Sequence, residues 1–316
     1  MRIVAADIGG THARFALAEV EAGKVVMLCE PVVLKAADHS GLASAWAAFG
    51  AAIDEPLPRR AGLAIAGPVT GGPVRFLNSH WVVDPATIAE DLHLDSFVLL
   101  NDFGAMAHAV NALDDAHFVH LCGPDAPLPD RGVISVIGPG TGLGVAVLQR
   151  LETGPVVLET EGAHTSFAPL NKAEEAVNVA LRARYGRTSV ERVVSGPGLG
   201  DIVRTFAPDS RDDAALWASA INGQEAATRD ALALFLECYG AATGDLSLAH
   251  GSLGVALTGG LTNRLAHLVA PSGFHARFRE KGRYEARMQT IPIKLVTYPQ
   301  PGLFGAAAAF AMEHRE

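Results

Sequence analysis

Cysteine is scarce in this chain. Cys29, Cys122 and Cys238 are odd in number and far apart, which excludes a disulfide framework, and no Cys-x-x-Cys pair offers a zinc knuckle. Positive charge is also short. The formal net charge of −9 over 316 residues argues against the basic footprint of a nucleic-acid binder. No apolar run reaches the length of a membrane span. The first apolar stretch stops at Asp7, too short for the h-region of a signal peptide. A cytoplasmic protein with no membrane partner is expected. Aromatics make up only 6% while glycine reaches 33 residues, so helices are expected to pack closely. Two familiar catalytic loops are missing as well. There is no Gly-x-x-x-x-Gly-Lys-Ser/Thr and no Gly-x-Ser-x-Gly, so neither a P-loop nor a nucleophile elbow is present.

What is present is a repeated phrase. Ile3-Val4-Ala5-Ala6-Asp7-Ile8-Gly9-Gly10-Thr11 leads into His12-Ala13-Arg14-Phe15-Ala16-Leu17. Later, Gly132-Val133-Ile134-Ser135-Val136-Ile137-Gly138-Pro139-Gly140-Thr141 leads into Gly142-Leu143-Gly144-Val145-Ala146-Val147. Each copy is an apolar β-branched run, a glycine turn with Thr, and a second apolar run. Gly10-Thr11 and Gly140-Thr141 are offset by 130 residues (141 − 11). Two strand–turn–strand hairpins, one per half, predict two related lobes serving one ligand. Glycine suits a turn that binds phosphate, because bare backbone N–H groups can converge on the oxygens and the Thr hydroxyl adds a donor. The stretch 138–143 also mimics a dinucleotide fingerprint, but Leu143 stands where the third small residue belongs.

The remaining pattern alternates strands and helices, which defines an α/β class. Strands are expected over 2–35, 61–66, 97–100 and 254–258. Helices are expected over 42–53, 103–113, 172–185, 224–250 and 302–315. Asp84-Pro85 reads as the N-cap and first residue of a helix running to about Leu92. With 49% hydrophobic residues, a large core or two cores can form.

In α/β sheets ligands collect at the carboxyl ends of strands. Such ends carry Asp7-Ile8-Gly9-Gly10-Thr11, Asn101-Asp102, 138–142 and Thr258-Gly259-Gly260. Asp102 fits two roles: a base toward a substrate hydroxyl, or a cap for the helix that follows. Glu161 and His164 can converge on one polar ligand, though Glu-x-x-His lacks the partners of a metal site. Thr188-Ser189-Val190-Glu191 fits a capping box with Thr188 at N-cap and Glu191 at N3.

Taken together, these motifs resemble those of the bacterial glucokinases of the hexokinase superfamily. The resemblance rests on Asp7-Ile8-Gly9-Gly10-Thr11, Leu100-Asn101-Asp102-Phe103, 138–142, Glu161-Gly162-Ala163-His164, Ser189-Val190-Glu191-Arg192-Val193-Val194-Ser195-Gly196-Pro197-Gly198-Leu199 and Thr258-Gly259-Gly260-Leu261. It implies two ribonuclease-H-like, actin-like ATPase lobes around a central cleft. The small lobe would be 1–110 plus 301–316, and the large lobe 111–300. It implies phosphorylation of glucose to glucose 6-phosphate in glycolysis, with ATP, Mg2+ and a homodimer. Asp102 would be the catalytic base on the 6-hydroxyl and would also contact the sugar. Asn78, Asn101, Glu161, His164 and Glu191 would bind its other hydroxyls. Ala6, Asp7, Ile8, Gly9, Gly10, Thr11, Gly140, Thr141, Gly142, Gly259 and Gly260 would hold the nucleotide, with Asp7 meeting Mg2+ through water. On this resemblance, catalysis and sugar binding take precedence over the capping readings of Asp102 and Glu191. The sequence departs from the family pattern in two places. His12 stands where Asn is usual, and Asn78-Ser79-His80-Trp81 is a shifted version of an Asn-His-Thr-Trp loop.

Three rivals share parts of this pattern. A kinase for another hexose would keep the same motifs. A non-sugar actin-like ATPase would keep the phosphate turns but would not need Asn101, Asp102, Glu161, His164 and Glu191. A related sugar-responsive repressor would need a helix-turn-helix where a strand is expected from Arg2.

Overall fold

The computed structural model describes residues 1–76 and 79–314. The chain divides into two compact units, Met1–Asp114 with Tyr298–Glu316, and Asp115–Thr297.

The first unit is built on β1 (Arg2–Ile8), β2 (His12–Glu21), β3 (Lys24–Leu28), β4 (Val32–Lys35), α1 (Leu42–Ile53), β5 (Arg60–Ile65), the short ribbon β6 (Val74–Arg75) and β7 (Val82–Val83), α2 (Ile88–Asp91), β8 (Ser96–Asn101) and α3 (Asp102–Ala112). Its main sheet runs β3-β2-β1-β5-β8. β1 and β2 form the hairpin that the sequence predicts, and β4 pairs the early part of β2. β5 and β8 add in parallel.

The second unit carries β9 (Phe118–Cys122), β10 (Gly132–Pro139), β11 (Leu143–Leu151), β12 (Gly154–Thr160), α4 (Lys172–Tyr185), α5 (Val190–Val193), α6 (Gly196–Phe206), α7 (Asp213–Ile221), α8 (Ala226–His250), β13 (Gly254–Leu257), α9 (Gly260–Val269), α10 (Phe274–Arg279), α11 (Glu285–Met288) and β14 (Ile293–Val296). Its sheet runs β12-β11-β10-β13-β14-β9. The core of this order repeats that of the first unit. Three antiparallel strands lead with the hairpin, and two parallel strands follow. β9 is an added antiparallel edge. The terminal helix α12 (Pro301–Glu313) returns to the first unit.

The apolar runs are continuous because these strands are covered on both faces. Along β1, Val4, Ala6 and Ile8 join Phe15, Trp46 and Phe49 in one core layer. Ile3 and Ala5 point the other way, into a layer with Leu303, Ala306 and Phe310 of α12. That second layer is thin. A Cβ on Gly62 would overlap the Ala306 carbonyl, and one on Gly305 would overlap the Ala105 carbonyl. The second unit's core centres on α8, where Phe235 meets Trp217 edge-on at 5.1 Å and Tyr239 meets Phe274 at 5.1 Å. No helix among the described residues is long and apolar enough to cross a membrane.

One expected helix is much shorter than predicted. Asp84 and Pro85 form a turn instead, in which the Asp84 carboxylate accepts from the Ala86 N–H and its carbonyl from the Thr87 N–H. Helix α2 begins only at Ile88.

Two outcomes follow from this packing. Gly305→Ala should cost about 1–3 kcal/mol by overpacking, more than the ~1 kcal/mol that alanine gains in helix propensity. A urea midpoint equal to that of the wild type would show that α3 and α12 part freely. Burial also lowers the His108 imidazole from 6.5 to about 4. The unfolded chain takes this proton near pH 6.5, whereas the native state refuses it until about pH 4. This contribution is therefore fully present above pH 6.5 and is lost as pH falls toward 4. His108→Gln should flatten the stability profile across that window, and an unaltered profile would assign the acid sensitivity to other groups.

Candidate functional site

In the first unit the parallel strands end together. Ile8 lies opposite Ile65, and Ile65 opposite Asn101. The polar residues that follow these strands therefore gather at one edge of the sheet. Gly9 closes the β1 turn by donating to the His12 carbonyl at 2.9 Å. The Asn101 amide donates to the Gly67 carbonyl at 3.0 Å, while its oxygen accepts from the Phe103 N–H at 2.8 Å. Asn101 is thus the N-cap of α3, and Asp102 is the first residue of the helix. The Asp102 carboxylate also accepts from the Phe103 N–H, at 2.9 Å. The capping role that the sequence allowed to Asp102 belongs mainly to its neighbour, and Asp102 stays half-buried at the sheet edge.

Ala6 and Ile8 are fully buried in the core, so only their backbone is available to a ligand. Gly9 and Gly10 are half-buried, and Thr11 is exposed. Asp7 faces Arg14 at 3.5 Å. Burial pushes its carboxyl above the usual range, and Arg14 pulls it back in part. Gly302 lies against this carboxylate: a Cβ there would sit 3.0 Å from both Asp7 Cγ and Oδ2. A magnesium ion in a kinase needs only one or two carboxylates, with waters and substrate phosphates completing its shell. Asp7 fits that role. No cluster of three His, Cys, Asp or Glu residues suited to a metal occurs among the described residues.

In the second unit the β10 turn is held from two sides. Gly140 donates to the Gly142 carbonyl at 2.7 Å, which closes the turn. Gly196, at the start of α6, donates to the Gly140 carbonyl at 2.7 Å. The Trp217 indole on α7 donates to the Gly196 carbonyl, also at 2.7 Å. On the other side, the Leu143 N–H donates to Glu191 Oε2 at 3.0 Å. The expected capping box at 188–191 does not form. The N-cap of α5 is Ser189, without a side-chain cap bond, and Thr188 donates to the Asn178 carbonyl instead. The local pattern lost to a tertiary one, because the turn's amide offers Glu191 a donor 48 residues away.

Glu161 and His164 stand on a short 3-10 turn after β12, with Glu161 Oε2 and His164 Nε2 3.6 Å apart and both exposed. The end of β12 pairs with β11, Thr160 opposite Val145. The chain beyond the turn is laced to the approach of α5. Val190 donates to the Thr165 carbonyl at 3.0 Å and Phe167 to the Thr188 carbonyl at 3.1 Å. The loops that carry Glu161, His164 and Glu191 are therefore joined, beside the glycine turn. Asn78 lies outside the described residues.

An open cavity of about 530 Å³ in this unit is lined in part by Gly140, Thr141, Gly196, Trp217, Gly260 and Arg264. Gly140, Thr141 and Gly260 are in the predicted nucleotide set. Trp217 and Arg264 are not, since neither sits in a motif. Gly196 lay within a quoted segment whose own spacing signals only a helix start. Gly259 holds φ +93°, a left-handed backbone, as N-cap of α9.

A family model described as glucokinase matches residues 4–313. The chain belongs to the glucokinase family. It is 50% identical to the glucokinase of Zymomonas mobilis, the alignment covering 100% of this chain and 99% of that one. It is 38% identical to the glucokinase of Marinobacter nauticus, over 96% and 95% of the two chains. The crystal structure of a glucokinase from an Antarctic psychrotroph superposes with a TM-score of 0.84 at 32% identity, covering 98% of each. The repeated sheet order is that of the actin-like ATPase fold of this family of sugar kinases.

Proposed function

We infer that this chain phosphorylates glucose with ATP to give glucose 6-phosphate. The observation that carries this reading is the end-to-end identity of 50% with a glucokinase. The glycine turns and the polar groups at the strand ends support it.

In the reaction we propose, Asp102 accepts the proton of the sugar 6-hydroxyl. That oxygen then bonds to the γ-phosphorus, and the bond from phosphorus to the β,γ-bridging oxygen breaks, releasing ADP. A half-buried carboxylate at the start of a helix that its neighbour caps is well held for this role. Asn101, Glu161, His164 and Glu191 orient the sugar by bonding its hydroxyls, and Asn78 joins them by resemblance alone. Thr11, Gly9, Gly10, Thr141 and the 140–142 backbone hold phosphate, while the cavity beside Gly260 receives the nucleoside. Asp7 would hold Mg2+ through water, and the ion would spread the charge of the transferring phosphoryl group. Three unpaired cysteines, of which Cys122 and Cys238 are buried, suit a reducing cytoplasm. Glycolytic use of the product and a homodimeric assembly are expected from the family resemblance.

The direct test is ADP release by the purified protein with Mg-ATP, with and without glucose, mannose, fructose or N-acetylglucosamine. Glucose should give the highest kcat/KM. Turnover without any sugar would favour a plain ATPase, and a preference for another hexose would rename the substrate. Asp102→Asn should lower kcat about 10²–10⁴-fold, the usual worth of a positioned base, while glucose still binds. Near-normal turnover in that variant would remove the base role from Asp102.

A further inference from the structure

We propose that Glu191 is a strut shared by the sugar site and the phosphate turn, so that binding glucose sets the turn's geometry before ATP arrives. This inference rests on the reading above, in which Glu191 binds a sugar hydroxyl and residues 140–142 hold phosphate.

The contacts are specific. The Leu143 N–H, at the end of the turn, donates to Glu191 Oε2 at 3.0 Å. The three atoms nearest to the missing Cβ of Gly142 are Oε2, Cδ and Cγ of that same side chain. Gly142 therefore has no side chain because Glu191 occupies the space. Its φ is outside the left-handed region, so the backbone alone does not demand glycine there. A carboxylate offers about four acceptor sites, and the turn uses one of them. The remaining oxygen can accept from a hydroxyl without releasing the turn.

The opposite side of the turn is fixed by the chain from Trp217 through Gly196 to Gly140. The turn is thus a short backbone segment gripped at both ends. On the Gly140 side the grip consists of protein groups alone. On the Leu143 side it is a half-buried carboxylate on the four-residue helix α5, and that carboxylate is the group a sugar would engage. A hydroxyl donating to Glu191 restricts its rotamers, and the restriction passes through one hydrogen bond to the amides that cradle phosphate. By linkage, nucleotide on the turn must favour glucose by the same factor as glucose favours nucleotide.

Two glycines in the same turn separate this proposal from a simple sugar contact. Gly142→Ala leaves the carboxylate in the protein but displaces it. Gly140→Ala meets no atom within 4 Å and leaves it alone. Glucose affinity is measured by calorimetry without nucleotide. Gly142→Ala should weaken it at least about fivefold, part of the loss expected for a misplaced hydrogen bond to a charged group. Gly140→Ala should stay within about twofold of the wild type, since its new methyl touches nothing near Glu191. A second readout needs no variant: glucose alone should shift the amide resonance of Leu143 in the wild-type protein.

The outcomes are distinguishable. If the wild type binds no glucose, the functional reading falls and the strut falls with it. If Glu191→Gln binds glucose as the wild type does, the sugar role of Glu191 is wrong, and so is the strut. If Glu191→Gln weakens glucose but Gly142→Ala does not, or if the Leu143 amide ignores glucose, Glu191 is a sugar ligand only. The strut alone is then overturned.

Discussion

A strand buried on both faces has little room for polar chemistry, and in β1 the one carboxylate, Asp7, stands a residue before the strand ends. Val4, Ala6 and Ile8 of β1 fill one layer while Ile3 and Ala5 fill the other. A polar group placed mid-strand there would need a buried partner, at a cost of about 1–3 kcal/mol if it lacked one. Polar chemistry is displaced to where the strand stops. Parallel register then gathers the ends: Ile8, Ile65 and Asn101 come into line, and in the other unit Leu257 of β13 pairs with Ile137, just before the β10 turn. The location of the candidate site follows from the burial of the sheets, before any catalytic residue is considered.

The same crowding explains the composition. Where sheets are covered tightly by helices, some backbones touch, and glycine is required at the point of contact. Gly62 beneath Ala306 of α12 is such a point, and Gly138 likewise meets the Thr258 carbonyl just past the neighbouring strand β13. Gly138 precedes the β10 turn, and Thr258 precedes Gly259 and α9. This contact therefore fixes the spacing between two glycine segments predicted to hold one nucleotide. The scarcity of aromatics and the excess of glycine and alanine express one design, in which thin layers bring backbones into direct contact.

Much of this was legible because it is local or repeated. The helix at 42–53, the hairpins with their glycine turns, and the strand ends at Asn101 and Thr258 are all carried by short-range pattern. The duplicated phrase predicted two hairpins, one in each half, and both form, within sheets of the same core strand order. The failures have different causes, long-range and local. Thr188-Ser189-Val190-Glu191 has the local form of a capping box, but the Leu143 amide competes for Glu191 from 48 residues away. Asp84-Pro85 has the form of a helix start, but Asp84 satisfies its own backbone in a turn. Trp217 and Arg264 reach the cavity through the packing of α7 and α9, which no spacing announces.

Asn101 and Asp102 show how two adjacent polar residues divide the start of a helix between them. A helix N-terminus needs a side-chain acceptor, and either residue could supply it. Asn101 does so while also anchoring Gly67. Its amide carries both a donor and an acceptor and so ties the cap to the neighbouring strand end, which a carboxylate cannot do. Asp102 follows one position later, where the helix fixes its backbone but does not depend on its side chain alone. Glu191 is held by another element. Its carboxylate accepts from the Leu143 amide, so the β10 turn sets its position. Asp102 is thus proposed as a base whose backbone the helix has already fixed, and Glu191 as a sugar ligand whose carboxylate the β10 turn has already placed.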